Sequence, residues 1–165
     1  TVVVLPAVSP DGSAANTRTN ANNVDLNRNF PANDWKTAVT MPDKSFNPMG
    51  GGSAPLSEPE SAALAAYIQS VNPLLVLTYH ASAGVVIPNG SGNSENLART
   101  YDFNSNLYYA ANERTESIFA YDTTGAFEDW LHDTLDITTL LVETWTMTTN
   151  EFAKNQNAMW SMVTL

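Results

Sequence analysis

The stretch LLVLTYH, residues 74–80, decides the fold class. It is a continuous apolar run that ends in a polar side chain, and ITTLLVE at 137–143 has the same form. Continuously apolar strands belong to sheets that helices cover. Helical patterns alternate with these runs at 57–72, at 94–113 and from about 150 onward. We therefore expect an α/β protein with a mixed, mostly parallel sheet and helices on both faces, an α/β/α sandwich.

Shorter elements complete this prediction. Further strands are expected at VVVL (2–5), GVVIP (84–88) and SIFAY (117–121), and a short helix at AFEDWLHD (126–133). Ser57 and Glu60 have the spacing of a capping box at the start of the first long helix. In the first long helix, the packed face is expected to carry Leu64, Tyr67, Ile68 and Val71. In the last helix, it is expected to carry Phe152, Met159 and Val163.

Composition limits the partners of the chain. Its 165 residues suffice for one domain, and 7 basic against 17 acidic residues leave a net charge of −10. Such a surface repels phosphate backbones and anionic lipid, so we expect neither nucleic acid nor membrane partners. The absence of cysteine excludes disulfides, thiol nucleophiles and cysteine-ligated zinc. It is compatible with a secreted protein, extracellular or periplasmic.

Polar residues follow the predicted strands where each strand ends. His80 follows one strand, Tyr121 and Glu143 end two others, and the loop NVDLNRNFP, residues 23–31, lies after the first. Ligands of open α/β sheets bind beyond the carboxyl ends of the strands. We therefore predict that His80, Arg28, Tyr121 and Glu143 converge on one pocket.

The chemistry of these residues suits a hydrolytic or carboxylate-binding site. Arg28 can bind a carboxylate through two parallel hydrogen bonds, and Asn27 can add an amide donor. Arg18 can stabilise charge that develops on an oxygen, and Glu143 can act as a general base. A neutral ring nitrogen of His80 can bind a metal. Purely structural roles, in loop organisation or core packing, compete with each of these interpretations.

Six motifs in order resemble the zinc carboxypeptidases of the carboxypeptidase A/B type. The loop at 18–31 resembles the substrate-binding loop of that family and is the most specific of the six. The motifs are SPDG (9–12), RTNANNVDLNRNFP (18–31), SEPES (57–61), YHASAG (79–84), YDTTGAFEDW (121–130) and LLVE (140–143).

The resemblance implies a zinc-dependent exopeptidase that acts on peptides with a free C-terminal carboxylate. It implies that His80 is a zinc ligand, that Arg18 stabilises the oxyanion, that Asn27 and Arg28 hold the terminal carboxylate, that Tyr121 closes over the substrate and that Glu143 activates zinc-bound water. Zinc in such a site lowers the pKa of the bound water and polarises the carbonyl.

One feature departs from the family pattern. The first two zinc ligands of the family come as His-x-x-Glu before the arginine loop, and the histidines of this chain are His80 and His132. We read His132 as a surface residue of a helix. A catalytic zinc needs three protein ligands, so we interpret residues 1–165 as the later portion of a single catalytic domain that lacks the first part of the fold. The missing portion is either a separate chain or absent from this sequence, and this segment alone is expected to be inactive.

Two interpretations of the substrate remain, a peptide with a basic C-terminal residue and a cell-wall peptide. Within the resemblance, Glu128, which precedes Asp129 and Trp130, lines the pocket for the terminal side chain and favours a basic one. The loop at 18–36 is closest to that of bacterial murein peptide amidases, which cut before diaminopimelate. A binding module without metal is an alternative. A metal-free hydrolase is disfavoured, because HASAG at 80–84 lacks the Gly-x-Ser-x-Gly form.

Overall fold

The computed structural model describes residues 1–89, 93–105, 107–109, 119 and 121–164. The helices are α1 Pro10–Ala15, α2 Pro59–Val71, α3 Asn93–Ser105, α4 Phe127–Leu135 and α5 Phe152–Val163, with a 3₁₀ turn at Leu26–Arg28. The strands are β1 Val39–Thr40, β2 Phe46–Asn47, β3 Leu75–Ala81, β4 Val85–Asn89, β5 Tyr108–Tyr109 and β6 Thr138–Thr144. No helix of these ranges is long and apolar enough to cross a bilayer.

The chain divides into two compact units. The first comprises Thr1–Pro73 and Glu116–Leu135, and the second comprises Leu74–Thr115 and Asp136–Leu165. The first unit therefore holds the arginine loop with α2 and α4. The second holds a four-stranded sheet with α3 and α5.

The sheet of the second unit is mixed. Its strand order is β3-β6-β4-β5, with β3 parallel to β6, β4 antiparallel to β6 and β5 parallel to β4. The three predicted strands at 74–79, 84–88 and 137–143 correspond to β3, β4 and β6. The α/β class with a mixed sheet is therefore confirmed.

The two faces of this sheet have different contents. Leu140 and Val142 of β6 and Val86 of β4 are fully buried in one cluster with residues of α3 and α5. Burying each such side chain stabilises the folded state by about 1.5–3 kcal/mol. Because side chains alternate along a strand, Glu143 projects from the opposite face, and so does His80, its register partner on β3. The helices α3 and α5 thus lie on the face opposite to His80 and Glu143, and Glu143 is nevertheless only 5% exposed.

Aromatic packing anchors the loop of the first unit. The ring of Phe30 lies 4.7 Å from that of Phe127 and 5.5 Å from that of Trp130, both on α4. Leu26 is buried as well. Phe30 therefore fastens an irregular segment to an amphipathic helix, and Leu26 adds buried apolar surface on the other side of the polar cluster.

The prediction of a strand at 2–5 is wrong for this structure. Val4 is 71% exposed, and its neighbours in the VVVL run are exposed as well. A β-branched run becomes a strand only where another strand pairs with its N–H and C=O groups, and none of the described strands pairs with it. For the predicted strand at 117–121, residues 117, 118 and 120 lie outside the described residues.

The helix predicted over 94–113 ends earlier. It stops at Ser105, and residues 108–109 form β5. The hydroxyl of Ser105 accepts a hydrogen bond from the backbone N–H of Leu107 at 3.3 Å. Short polar side chains compete in this way with the backbone ladder of a helix, which explains the stop after the DFNS segment at 102–105.

The predicted capping box at Ser57 is wrong. The N-cap of α2 is Glu58, with Pro59 in the first turn, and it makes no side-chain cap. The hydroxyl of Ser57 instead donates to the Glu58 carboxylate at 2.9 Å and accepts from the Asn29 amide at 3.1 Å. Ser57 therefore bonds to Asn29, a residue of a distant loop, and does not cap the helix.

The packed helix faces also differ from the prediction. In α2, Ser61, Ala65 and Ile68 are buried, whereas Tyr67 and Val71 are exposed. In α5, the buried residues are Asn155, Ala158 and Met162, and Phe152 and Val163 are exposed. Polar residues lie on these faces because they share hydrogen bonds with other segments, Ser61 with Asn29 and Asn155 with Tyr101.

Candidate functional site

Arg28 lies buried in the 3₁₀ turn of the first unit. Its Nε donates to the backbone carbonyl of Asp122 at 2.8 Å, and its Nη1 donates to the carbonyl of Asn27. These bonds use two of the five N–H groups of the guanidinium. Burial lowers the pKa of Arg28 and the charge of Asp25 opposes that shift, but arginine stays charged in proteins. The backbone therefore holds a buried cation in a fixed orientation.

Arg18 forms the second cation of this group. Its Nε donates to the Asp25 carboxylate at 2.6 Å. The guanidinium carbons of Arg18 and Arg28 each lie 5.9 Å from the centroid of the Tyr121 ring. A cation over an aromatic face is attracted by the ring, so Tyr121 and Asp25 together hold two like charges near each other. Such a pair suits an anionic ligand.

Asn27 connects the loop to α4. Its Oδ1 accepts from the backbone N–H of Phe127 at 2.8 Å, and its Nδ2 donates to the Glu128 carboxylate at 3.1 Å. Glu128 is only 1% exposed. A side-chain amide has two N–H groups, so this bond leaves one N–H of Asn27 for a ligand. The predicted clamp and the predicted specificity residue are therefore in direct contact.

Sequence reasoning missed the residue that organises this loop. Asn29 is fully buried, and its Nδ2 donates to the carbonyls of Gly51 and Ala54 at 2.8 and 3.0 Å. Its Oδ1 accepts from the backbone N–H of Glu58 at 3.2 Å and from the hydroxyl of Ser61. The two asparagines around Arg28 were a signal of fixed hydrogen bonding, but their partners lie too far along the chain to be named from the sequence.

The second unit places His80 beside Glu143. They are register partners on the parallel strands β3 and β6, and strands are about 4.8 Å apart in a sheet. Glu143 is 5% exposed and also pairs with Val85 of β4. The hydroxyl of Thr144 donates to the carbonyl of His80 at 3.0 Å. An imidazole and a carboxylate thus lie side by side at the ends of two strands.

The described residues do not supply a complete zinc site. No three His, Cys, Asp or Glu residues of the described part of the chain are grouped as a metal would require. His80 offers one ring nitrogen, whereas a catalytic zinc takes three protein ligands. His132, the other histidine, lies half-buried on α4 with Nε2 4.0 Å from the Asp133 carboxylate. The donor set described here therefore does not fit zinc by itself.

The structure brings the predicted site residues together in two groups. The first unit gathers Arg18, Asn27, Arg28, Tyr121 and Glu128, and the second places His80 beside Glu143. The first group combines two guanidinium cations with an amide, a phenol and a carboxylate, and the second combines an imidazole with a carboxylate; their roles stay predictions. That the two groups meet in one pocket stays a prediction.

The chain is similar to proteins named as murein peptide amidases. The chain is 33% identical over 137 residues to murein peptide amidase A of Escherichia coli K12, an alignment that covers 79% of this chain and 52% of the relative. The crystal structure of a murein-tripeptide amidase from Escherichia coli O157 matches with a TM-score of 0.69 at 28% identity, covering 96% of this chain and 64% of that one. The chain thus spans about half the length of the curated relatives it matches.

A more distant structure has the same fold. The carboxypeptidase A of Helicoverpa armigera matches with a TM-score of 0.70 at 20% identity, over 97% of this chain and 49% of that one. The sequence model of the zinc carboxypeptidase family matches residues 1–162, nearly the whole chain. This chain therefore belongs to the zinc carboxypeptidase family.

Proposed function

We propose that the protein containing this chain is a zinc-dependent metallocarboxypeptidase that hydrolyses the C-terminal peptide bond of peptides. Residues 1–165 would form the later portion of its single catalytic domain. The observation that carries the proposal is the buried Arg28, held by two backbone carbonyls, with Arg18 against the same tyrosine ring.

The terminal carboxylate is the natural ligand of this clamp. A guanidinium presents parallel N–H groups that match the two oxygens of a carboxylate. Asn27 would add its second amide N–H, and Tyr121 would cover the bound residue. The backbone bonds of Arg28 fix its orientation before the substrate arrives, which reduces the entropy that binding costs.

Hydrolysis would use Glu143 and Arg18. Glu143 would take a proton from water as its oxygen attacks the scissile carbonyl carbon. Arg18 would donate hydrogen bonds to the oxyanion that forms. The carbon–nitrogen bond then breaks, and the proton held by Glu143 passes to the leaving amine.

Zinc enters this proposal as the cofactor of the family. His80 would be one ligand, and a His-x-x-Glu pair would come from polypeptide outside these 165 residues. The segment alone would then be inactive. Elemental analysis of the complete protein should find about one zinc per molecule. A complete protein that binds peptide C-termini but holds no zinc would instead be a non-catalytic binding relative.

Exchanging Arg28 for alanine tests the clamp. In the complete enzyme, Arg28→Ala should lower kcat/KM for carboxylate-ended peptides about 100-fold, because two charge-assisted hydrogen bonds are lost. The matched control is Arg99→Ala, which removes an exposed arginine of α3 and should change little. If Arg28→Ala prefers carboxylate-ended over amide-ended peptides as strongly as the wild type does, the assignment is refuted.

A murein peptide amidase is the second candidate. Relatives of that name share a third of the residues over most of this chain, and the buried Glu128 adjoins the clamp. A carboxylate there favours a terminal residue with a cationic side chain, such as lysine or diaminopimelate. Such an enzyme would act in the periplasm or outside the cell.

Two substrates separate the candidates. A general carboxypeptidase should cleave a lysine-ended peptide and a murein tripeptide, whereas an amidase should cleave only the latter. Glu128→Gln should lower the preference for a basic over a neutral terminal side chain about tenfold, since the opposite charge is removed. An unchanged preference would exclude Glu128 as the specificity residue.

A further inference from the structure

Asp25 lies between the two arginines of the loop at 18–31 and is only 4% exposed. Its backbone N–H donates to the carbonyl of Gly50 at 2.9 Å, and its own carbonyl accepts from the N–H of Arg28 at 2.8 Å. One oxygen of its carboxylate accepts from the N–H of Asn27 at 3.1 Å and so caps the 3₁₀ turn. The turn that carries Arg28 therefore fixes the carboxylate of Asp25.

The other oxygen of this carboxylate holds Arg18. It accepts from the Nε of Arg18 at 2.6 Å. The side chain of Arg18 is 40% exposed, against 5% for that of Asp25. A long exposed side chain has many rotamers, so a bond to a buried and fixed carboxylate restricts it strongly. The bond engages only one of the five N–H groups of the guanidinium, and the other four lie outside this ion pair.

The charge of Asp25 also offsets the repulsion between the two cations. Burial lowers the pKa of Arg28 most, the charge of Asp25 opposes that shift, and the charge of Arg18 adds to it. Both guanidinium carbons lie 5.9 Å from the centroid of the Tyr121 ring. Without the carboxylate, repulsion between like charges would favour rotation of the exposed Arg18 away from the buried Arg28.

We infer that Asp25 is the positioning residue that keeps Arg18 beside Arg28 before the substrate binds. The inference rests on the proposed function, in which these two cations bind the anionic groups of the substrate. Every contact that carries it lies within the first unit. Asp25 itself contacts no substrate and acts through Arg18. An arrangement that exists before binding reduces the entropy that binding costs.

Charge and positioning predict opposite effects when Asp25 is neutralised. Removal of a negative charge beside two cations should by itself strengthen the binding of anions and raise kcat/KM. Loss of positioning should lower kcat/KM, because Arg18 is displaced. In Asp25→Asn, the amide oxygen can still accept from the N–H of Asn27, but the amide nitrogen then faces the Nε–H of Arg18. Two donors cannot share a hydrogen bond, so Arg18 has to move.

The test is kcat/KM of the complete enzyme, with whichever of the lysine-ended peptide and the murein tripeptide it cleaves. Asp25→Asn should lower kcat/KM about 100-fold, the loss expected when a charge-stabilising group is misplaced by about 1 Å. In the background of Arg18→Ala, the same change should lower it less than about threefold, because the group that Asp25 positions is absent. Asp43→Asn changes an exposed aspartate that bonds within its own turn, and this matched control should leave kcat/KM unchanged.

The outcomes separate this inference from the proposed function. An Asp25→Asn variant that is as fast as the wild type or faster, or that is slowed equally with and without Arg18, overturns the inference alone. An Arg18→Ala variant with unchanged kcat/KM overturns the proposed role of Arg18 and the inference with it. A wild type that cleaves neither substrate overturns the proposed function as a whole.

A second variant covers the case in which Asp25→Asn does not fold. In Asp25→Ser, the hydroxyl can still cap the turn, but it is too short to hold Arg18. The same loss of kcat/KM, and the same absence of a further loss in the background of Arg18→Ala, are expected. A variant with serine at this position that keeps the activity of the wild type would overturn the inference.

Discussion

The loop at 18–31 and the strand pair β3–β6 hold functional side chains in two different ways. In the loop, side chains hold the backbone, as when Asn29 bonds to Gly51, Ala54 and Glu58. In the strand pair, the backbone register holds the side chains, and His80 lies beside Glu143 because β3 pairs with β6. The loop should therefore depend on single polar residues, whereas the strands should depend on the apolar core behind them.

The largest expected effect is on the core behind the strands. Leu140 is fully buried against α3 and α5, so Leu140→Ala should lower the free energy of unfolding by about 4 kcal/mol, through lost burial and a cavity. Leu140→Met keeps the volume and should cost less than about 1.5 kcal/mol. Urea unfolding of both variants measures the difference. Equal losses would show that the strands do not rely on close packing here.

Asn29→Ala should break the loop. The change leaves the N–H of Glu58 without its partner and removes one hydrogen bond from each of the carbonyls of Gly51 and Ala54, at about 3 kcal/mol in total. Asn33→Ala changes an exposed asparagine of the same segment and should cost less than about 0.5 kcal/mol. The same unfolding measurement applies. A loss below about 1 kcal/mol for Asn29→Ala would contradict the view that side chains hold this loop.

The pH dependence of the stability of Glu58→Gln tests how much a charged side chain contributes to holding the loop. The Glu58 carboxylate accepts from Asn20, Asn22 and Ser57 at 2.8, 2.7 and 2.9 Å. Burial raises the pKa of Glu58, but these hydrogen bonds together lower it below its usual value. At pH 7, Glu58→Gln should cost about 2 kcal/mol, because bonds to a charged acceptor are lost.

The sign of the pH effect follows from that lowered pKa. The stability that Glu58 adds is present above the pKa of the unfolded chain, about 4.3, and is lost as pH falls through the folded-state pKa. The gap between wild type and Glu58→Gln should therefore close on acidification below about pH 4. Unfolding curves at several pH values measure it, and a gap that stays constant down to about pH 3 would argue against an ionised Glu58.

The smallest effect is expected at Thr78 on β3. Its hydroxyl is buried, and no described residue hydrogen-bonds to it. Thr78→Val keeps the shape and removes this cost, so stability should rise by up to about 1 kcal/mol. Thr139→Val on β6 is the control, because the Thr139 hydroxyl donates to the carbonyl of Ile137 at 3.2 Å and its loss should cost about 1 kcal/mol. A clear loss of stability on Thr78→Val would mean that the hydroxyl has a partner.

The sequence predicts the strands better than the loop, and the comparison explains why. The runs at 74–79 and 137–143 are continuously apolar, which is a local signal, and β6 is buried along 139–143. The contacts of Arg28 with Asp122 and of Asn27 with Glu128 join residues about a hundred positions apart. No local pattern encodes them. The residue types of the loop indicated an anion clamp, but only the fold shows what holds the clamp.

The errors have the same origin. The VVVL run at 2–5 has the composition of a strand, but it is exposed and none of the described strands pairs with it. The capping pattern at Ser57 is correct in spacing, but Asn29 bonds to Ser57 instead. For α5, the apolar residues suggested one packed face, whereas Asn155 and Ala158 lie inward because Asn155 bonds to Tyr101. A tertiary partner overrides the local preference at Ser57 and in α5, whereas the VVVL run has no pairing strand among those described.

The central sheet acts as a partition. One side carries Leu140 and Val142 and faces α3 and α5, and the other carries His80 and Glu143. As long as the apolar core and the pairing of β3 with β6 are kept, the outer surfaces of α3 and α5 can be changed or fused to other proteins without moving His80 and Glu143. A shift of one residue in that pairing would put the histidine and the glutamate on opposite faces of the sheet, however well the rest of the protein folded.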